Sequence, residues 1–289
     1  MISKKQKITV ATVQIGNVLT DVPKNLDKHY SYIEKAIKDG ADIIVFPELS
    51  LTGYSLKDAV YDVALTIDDP QLNHLKELSK KISILVGGVE LNERFEIYNS
   101  ALWFEKGNLL TRHRKVYLPT YGLFEEKRFF SAGNRFRAFD SKWGRFGMLI
   151  CEDMWHPTSG IILAQDGASV IFVMSAGIAR GIGEEDKPQN IRVWETLNSA
   201  LAVSTTSFIV FVNRVGVEDG LIFWGGSEVI DPHGDRLYKA DYFKEGYQLS
   251  EIDLLKLKHA RINTTLLSDE KLNTIIEEFS RIEKQRREY

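Results

Sequence analysis

An α/β fold with mixed sheets is predicted by three features of this 289-residue sequence. Short apolar, β-rich runs alternate with segments of helical periodicity. Some of those runs are close neighbours joined by tight turns, so hairpins must sit beside parallel crossovers. No linker rich in proline, glycine or serine divides the chain, so one domain over 1–289 is expected.

Taken in order, residues 8–13 read as a strand and 22–38 as a helix, with Leu26, Ile33 and Ile37 on its apolar face and Gly40 closing it. Residues 42–46 follow as a buried strand, 68–81 as a helix and 82–89 as a strand. The runs 98–104 and 109–114 flank Glu105-Lys106-Gly107-Asn108, a hairpin turn. Strands are expected at 136–139 and 147–150, around a turn near Trp143-Gly144. A helix over 158–166, a strand over 169–174 and a helix over 188–203 come next. The strands 207–212, 221–224 and 227–230 end in the turn Asp231-Pro232-His233-Gly234. A charged helical tail runs from 268 to 288. This pattern fits both a doubly wound three-layer fold and a four-layer α-β-β-α sandwich.

Composition narrows the function classes. With 44% hydrophobic residues, 27% charged residues and seven prolines, the chain is of ordinary globular type. A net charge of −3 and a pI near 6.1 give no electrostatic reason to expect nucleic acid or an anionic membrane as partner. The N-terminal apolar run is too short for a signal peptide or a spanning helix, and with a single cysteine the expected compartment is a reducing cytoplasm.

That cysteine, Cys151, ends the apolar run Gly147-Met148-Leu149-Ile150 and is followed at once by Glu152-Asp153. It can form no disulfide within its chain, which leaves packing or chemistry. Two other corners share its character. The strand at 42–46 ends in Pro47-Glu48-Leu49, and Arg112-His113-Arg114-Lys115 precedes Val116-Tyr117-Leu118-Pro119. Alone, Glu48 reads as a solvated loop acid and Lys115 as one exposed cation in a basic run. Together they have a chemical logic: a thiol attacking a carbonyl needs a proton acceptor and positive charge where the oxyanion develops.

In these segments the chain resembles the nitrilase superfamily of carbon–nitrogen hydrolases, over nearly its whole length. The motifs Phe46-Pro47-Glu48-Leu49 with Thr52-Gly53-Tyr54, Arg114-Lys115-Val116-Tyr117-Leu118-Pro119 and Ile150-Cys151-Glu152-Asp153-Met154-Trp155 occur in order. The resemblance implies Glu48, Lys115 and Cys151 as a catalytic triad, the four-layer sandwich, no metal or organic cofactor, and a homo-oligomer. Within the superfamily the chain is most similar to the glutamine-amidase domain of glutamine-dependent NAD synthetase, through residues 118–130, Cys151–Trp155, Asn213-Arg214-Val215-Gly216 and Gly225-Gly226-Ser227. On that likeness Glu126 is a second glutamate beside the cysteine. Tyr54 and Tyr121 either wall the pocket or only pack. Ser175 and Arg180 stand where substrate contacts could lie, in a glycine-bearing loop, 177–183, that departs from those glutaminases. Trp155 and Phe124 are expected in the core.

The activity expected is hydrolysis of a small-molecule, non-peptide amide through a thioester on Cys151, with Lys115 and the backbone N–H of Glu152 holding the oxyanion. The alternatives are a glutaminase subunit feeding ammonia to a separate synthetase, an N-acyltransferase, a nitrilase proper, and a catalytically silent binding protein on the same fold. The tail, from about 262 to 289, reads as a solvated helix or as one packing across an oligomer interface. The six histidines have no zinc spacing. Gly177, Gly181 and Gly183 form no phosphate-binding fingerprint, and Gly225-Gly226-Ser227 is not a serine-hydrolase elbow.

Overall fold

The computed structural model describes residues 6–181 and 188–287. Ile182-Gly183 of the glycine-bearing loop and Glu288 of the expected tail lie outside them. In chain order the first strands are β1 (Lys7–Gln14), β2 (Ile43–Val45), β3 (Ser83–Leu91), β4 (Ile97–Glu105) and β5 (Asn108–Arg114). Next come β6 (Phe139–Ser141), β7 (Gly144–Ile150), β8 (Val170–Ser175) and β9 (Phe208–Asn213). The last are β10 (Val215–Glu218), β11 (Leu221–Trp224), β12 (Glu228–Ile230), β13 (Arg236–Lys239) and β14 (Gly246–Asp253). The helices are α1 (Val22–Lys38), α2 (Val60–Val63), α3 (Asn73–Leu78), α4 (Glu126–Phe129) and α5 (Glu152–Trp155). They continue with α6 (Pro157–Gln165), α7 (Gln189–Thr205), α8 (Leu254–Asn263), α9 (Leu266–Asp269) and α10 (Leu272–Arg287).

Two six-stranded mixed sheets form the body, ordered β14-β1-β2-β3-β4-β5 and β13-β12-β9-β8-β7-β6, with β10-β11 as a separate ribbon. The period of two along each strand decides the layering. On β1, Ile8 and Val10 face the second sheet, sharing a core with Met148, Ile150, Phe172 and Val210. Ala11 and Val13 face the other way, against Val22, Leu26 and Ile33 of α1. Trp103 on β4 spans the gap between sheets, its ring centroid 5.8 Å from Phe146 and 5.3 Å from Phe172. Helices α6 and α7 cover the outer face of the second sheet, with Trp194 5.1 Å from Phe211 between ring centroids. The result is the four-layer sandwich.

Local chemistry explains the element limits. The side chain of Asp21 accepts from Lys24 N and Pro23 opens the first turn of α1, which stops before Gly40 at φ +80°. At the hairpin between β4 and β5, Lys106 (φ 54°) and Gly107 (φ 85°) adopt the left-handed pair of a two-residue turn.

The expected helix over 68–81 is shorter, running through a 3₁₀ turn at Pro70–Leu72 into α3 and ending at Leu78. Asp69 caps its start by accepting from Gln71 N, and Ser79 turns the chain by accepting from Gly107 N. The expected strand at 136–139 begins only at Phe139. Ala138 N is taken by the Asp166 side chain, and Phe136 stacks on Tyr117 instead of entering a ladder. Strands β10, β13 and β14 and helix α8 were not foreseen. Their alternation is diluted by charged residues because they lie at edges or half exposed. Among the described residues no helix is long and apolar enough to cross a membrane.

Candidate active site

Strand direction gathers the three corners. In the first sheet β2 pairs parallel with β3, and β4 antiparallel with both β3 and β5, so β2 and β5 end on the same rim. In the second, β7, β8 and β9 are mutually parallel and end together. The two rims are tied where Ala176 N, just past β8, donates to Glu48 Oε2 at 2.7 Å. Sites at the carboxyl ends of strands are the usual outcome of such topology.

Glu48 follows β2 in a turn that depends on Gly87. A Cβ there would stand 2.5 Å from Leu49 N and 2.7 Å from Pro47 O, so β3 can approach the turn only as bare backbone. Leu49 itself is left-handed, at φ 49°. The Glu48 carboxylate is 1% exposed. Its Oε1 accepts from Lys115 Nζ and Asn99 Nδ2, both at 2.8 Å.

Lys115, fully buried just beyond β5, also donates to Glu126 Oε1 at 2.7 Å. Burial works against its charge, but the Glu126 and Glu48 carboxylates outweigh that and hold the ammonium well above its ordinary pKa. Glu126 opens α4 and is pushed up to about 7, by burial first and against the pull of Lys115. Its Oε1 takes a second donor, the Tyr54 hydroxyl at 2.7 Å. Its Oε2 is buried and has no hydrogen-bond partner among the described residues.

Cys151 is 8% exposed and sits at the corner between β7 and α5 with φ 48° and ψ −106°. That conformation costs a residue with a Cβ on the order of 1–3 kcal/mol. It is held by Cys151 N donating to Met174 O at 2.7 Å. Burial, and then the Glu48 carboxylate, raise the thiol well above its usual pKa, with Lys115 opposing. Ser175 Oγ lies 3.5 Å from the sulfur. Because α5 starts at Glu152, its first backbone N–H groups have no acceptor within the helix.

Asp153 is the residue that sequence reasoning missed. Its buried carboxylate accepts from Ile150 N, His113 Nε2, Val116 N and Tyr117 N, at 3.1, 2.8, 3.0 and 3.0 Å. One side chain thus clamps the segments on both sides of Lys115 to the segment entering Cys151. The available signal was its place two residues past the thiol, inside a quoted motif. Asn99 could have been found as an amide interrupting the apolar run of β4.

A second, more open group lies beside the buried cluster. The exposed Tyr121 donates through its hydroxyl to Glu152 Oε2 at 3.0 Å. The Arg180 guanidinium sits 4.5 Å over the Phe124 ring and 5.4 Å from that of Tyr121. Phe124 packs with Ala176, Ile178 and Phe223, and Trp155 edges against Trp194, so both serve the core. Asn213 fixes the loop after Ser175, accepting from Gly177 N at 2.8 Å and donating to Gly225 O at 2.9 Å. A buried pair stands behind Tyr54: Arg214 Nη1 donates to Glu218 Oε2 at 3.0 Å, while Glu218 Oε1 accepts from Tyr54 N and Ser55 N. Among the described residues no three His, Cys, Asp or Glu side chains gather so that they could hold a metal ion.

Comparison with known proteins places this architecture. Residues 9–262 match the carbon-nitrogen hydrolase family model. The chain belongs to that family. A glutamine-dependent NAD(+) synthetase from Acinetobacter baylyi is 32% identical over 88% of the chain, which spans only 46% of that relative. An (R)-stereoselective amidase from Pseudomonas sp. is 31% identical, with 91% of each chain covered. The crystal structure of a carbon-nitrogen hydrolase from Helicobacter pylori G27 superposes with a TM-score of 0.85 at 25% identity, covering 93% of this chain and 96% of that one. The present carbon-nitrogen hydrolase has two mixed six-stranded sheets flanked by helices.

Proposed function

We propose that this protein hydrolyses a non-peptide amide through a thioester on Cys151, releasing ammonia or an amine and a carboxylate. The observation that carries the reading is one ammonium, Lys115, buried between Glu48 and Glu126 beside the only thiol. Since the resting sulfur keeps its proton, attack on the amide carbon needs a base in step with it, and Glu48 is that base. As the C–S bond forms, the carbonyl oxygen becomes an oxyanion facing Lys115 Nζ and the Glu152 N–H. Collapse breaks the C–N bond, and protonated Glu48 returns its proton to the departing nitrogen. Glu48 then takes a proton from the water that attacks the thioester carbon; collapse of that intermediate breaks the C–S bond, Glu48 returns the proton to the Cys151 sulfur, and the carboxylic acid leaves. Glu126 keeps Lys115 charged, and its Oε2, buried without a hydrogen-bond partner among the described residues, is the proposed acceptor for the substrate amide or the water.

Tyr54 belongs to the wall through Glu126, and Tyr121, Glu152, Ser175 and Arg180 are the proposed substrate contacts. The chain is read as one domain acting in a cytoplasmic homo-oligomer. A second reading, a glutaminase feeding ammonia to a separate synthetase, is favoured by the likeness to a relative twice as long whose name includes glutamine dependence. Ammonia release across a panel of amides, glutamine included, tests both. Turnover of at least one amide is expected, and preference for glutamine with a co-purifying synthetase would select the second. In Glu48→Gln, mass spectrometry should find an acyl adduct on Cys151; turnover without any adduct would reject the thioester.

A further inference from the structure

A cavity of about 400 Å³ lies outside the cluster just described, between the β5 edge, the irregular segment before β6, and β7. Its wall includes Arg112, Arg114, Arg135 and Arg137, with His113 and Met148, and includes none of Glu48, Lys115 or Cys151. Two of these arginines are already committed. Arg112 and Arg114 both reach Glu90 Oε1, at 2.8 and 2.6 Å. The other two are not. Arg135 and Arg137 are exposed and make no ion pair among the described residues. They flank Phe136, whose ring packs on Tyr117 and His113, and both line the cavity.

The excess of cation over carboxylate in this wall is local, since the whole chain carries −3. The other acids bonded to this wall are already occupied: Asp153 by His113 and three backbone N–H groups, and Asp166 by Ala138 N and Arg145. Guanidinium forks match phosphate oxygens two at a time, and a concavity of this size exceeds what one small ion fills.

We propose that this cavity is an anion site for a small phosphate-bearing molecule of at least two negative charges, with Arg135 and Arg137 as its main ligands. The site shares none of Glu48, Lys115 and Cys151 with the amide chemistry.

Titration calorimetry of the full chain with inorganic pyrophosphate, and separately with succinate, tests it. Saturable pyrophosphate binding is expected, weakening as salt rises and falling roughly tenfold or more in Arg135→Gln/Arg137→Gln. Succinate should bind far more weakly. Pyrophosphate should also slow phenylglyoxal modification of Arg135 and Arg137, read by peptide mass spectrometry, and leave Arg281 in the tail unaffected; this readout needs no variant. No saturable binding, or binding unchanged by the double substitution, overturns the site. Equal, variant-sensitive succinate binding overturns the phosphate assignment.

Discussion

At the scale of single residues, the charges around Cys151 set what each group does before substrate arrives. The thiol is held neutral by burial and by Glu48, while Lys115 is held charged by two carboxylates. Cys151→Ala should therefore remove turnover while leaving thermal unfolding within a few degrees of the parent, measured as ammonia release and by calorimetry. Lys115→Met removes the proposed oxyanion donor, a change that typically lowers kcat about 100-fold or more. It also leaves Glu48 and Glu126 facing each other without a cation, so a lowered Tm is expected with it. Glu126 carries the pH prediction. With its pKa near 7, it is protonated on the acid side and charged on the alkaline side. If the charged form positions Lys115, kcat/KM rises with pH through about 7, and Glu126→Gln flattens that limb while lowering the plateau. An identical limb in the variant would assign the titration to another group.

Secondary-structure elements supply the positions, and their joints are where small changes should act at a distance. Asp153 joins β5 to β7 through four accepted hydrogen bonds. Asp153→Asn keeps the shape but replaces two acceptor oxygens with one and turns an amide toward N–H donors. A loss of roughly 2–4 kcal/mol in unfolding free energy is expected from such an unsatisfied buried cluster. The fall in kcat should exceed any change in KM, because substrate contacts are untouched. Gly87 joins β3 to the Glu48 turn, and Gly87→Ala should displace Glu48, lowering kcat by an order of magnitude or more. The buried Arg214–Glu218 pair braces the Tyr54 backbone in the same manner. Removing Glu218 alone would strand a buried guanidinium, which usually costs about 3–5 kcal/mol.

At the scale of the molecule, the sandwich leaves α10 without a buried residue. On α10, Leu272, Ile276, Phe279 and Ile282 recur at helical spacing, yet each stays between 36% and 62% exposed. The proposed homo-oligomer gives that stripe an apolar cover. Sedimentation velocity should then show a dimer or larger species for the full chain, and Ile276→Glu/Phe279→Glu should shift it toward monomer. Unchanged sedimentation of the double variant would remove the tail from the interface.

The sequence alone determined what is local. Apolar spacing marked α1 and most of the inner strands, and turn residues such as Lys106-Gly107 and Asp231–Gly234 set their joints. The abrupt change from apolar to ionisable residues at Glu48, Lys115 and Cys151 marked the strand ends. Strands whose both faces are covered carry an uninterrupted apolar signal, which is why these were legible. Edge strands such as β14, and the segment before β6, were not, because their limits depend on hydrogen bonds to distant partners. Only the tertiary structure decided that Asp153, Asn99 and Glu218 are braces, since a buried carboxylate or amide has no meaning until its donors arrive from elsewhere in the chain. It likewise decided the ionisation of the site: Glu126, Lys115 and Cys151 in water would hold ordinary pKa values, and burial beside charged neighbours is what moves them.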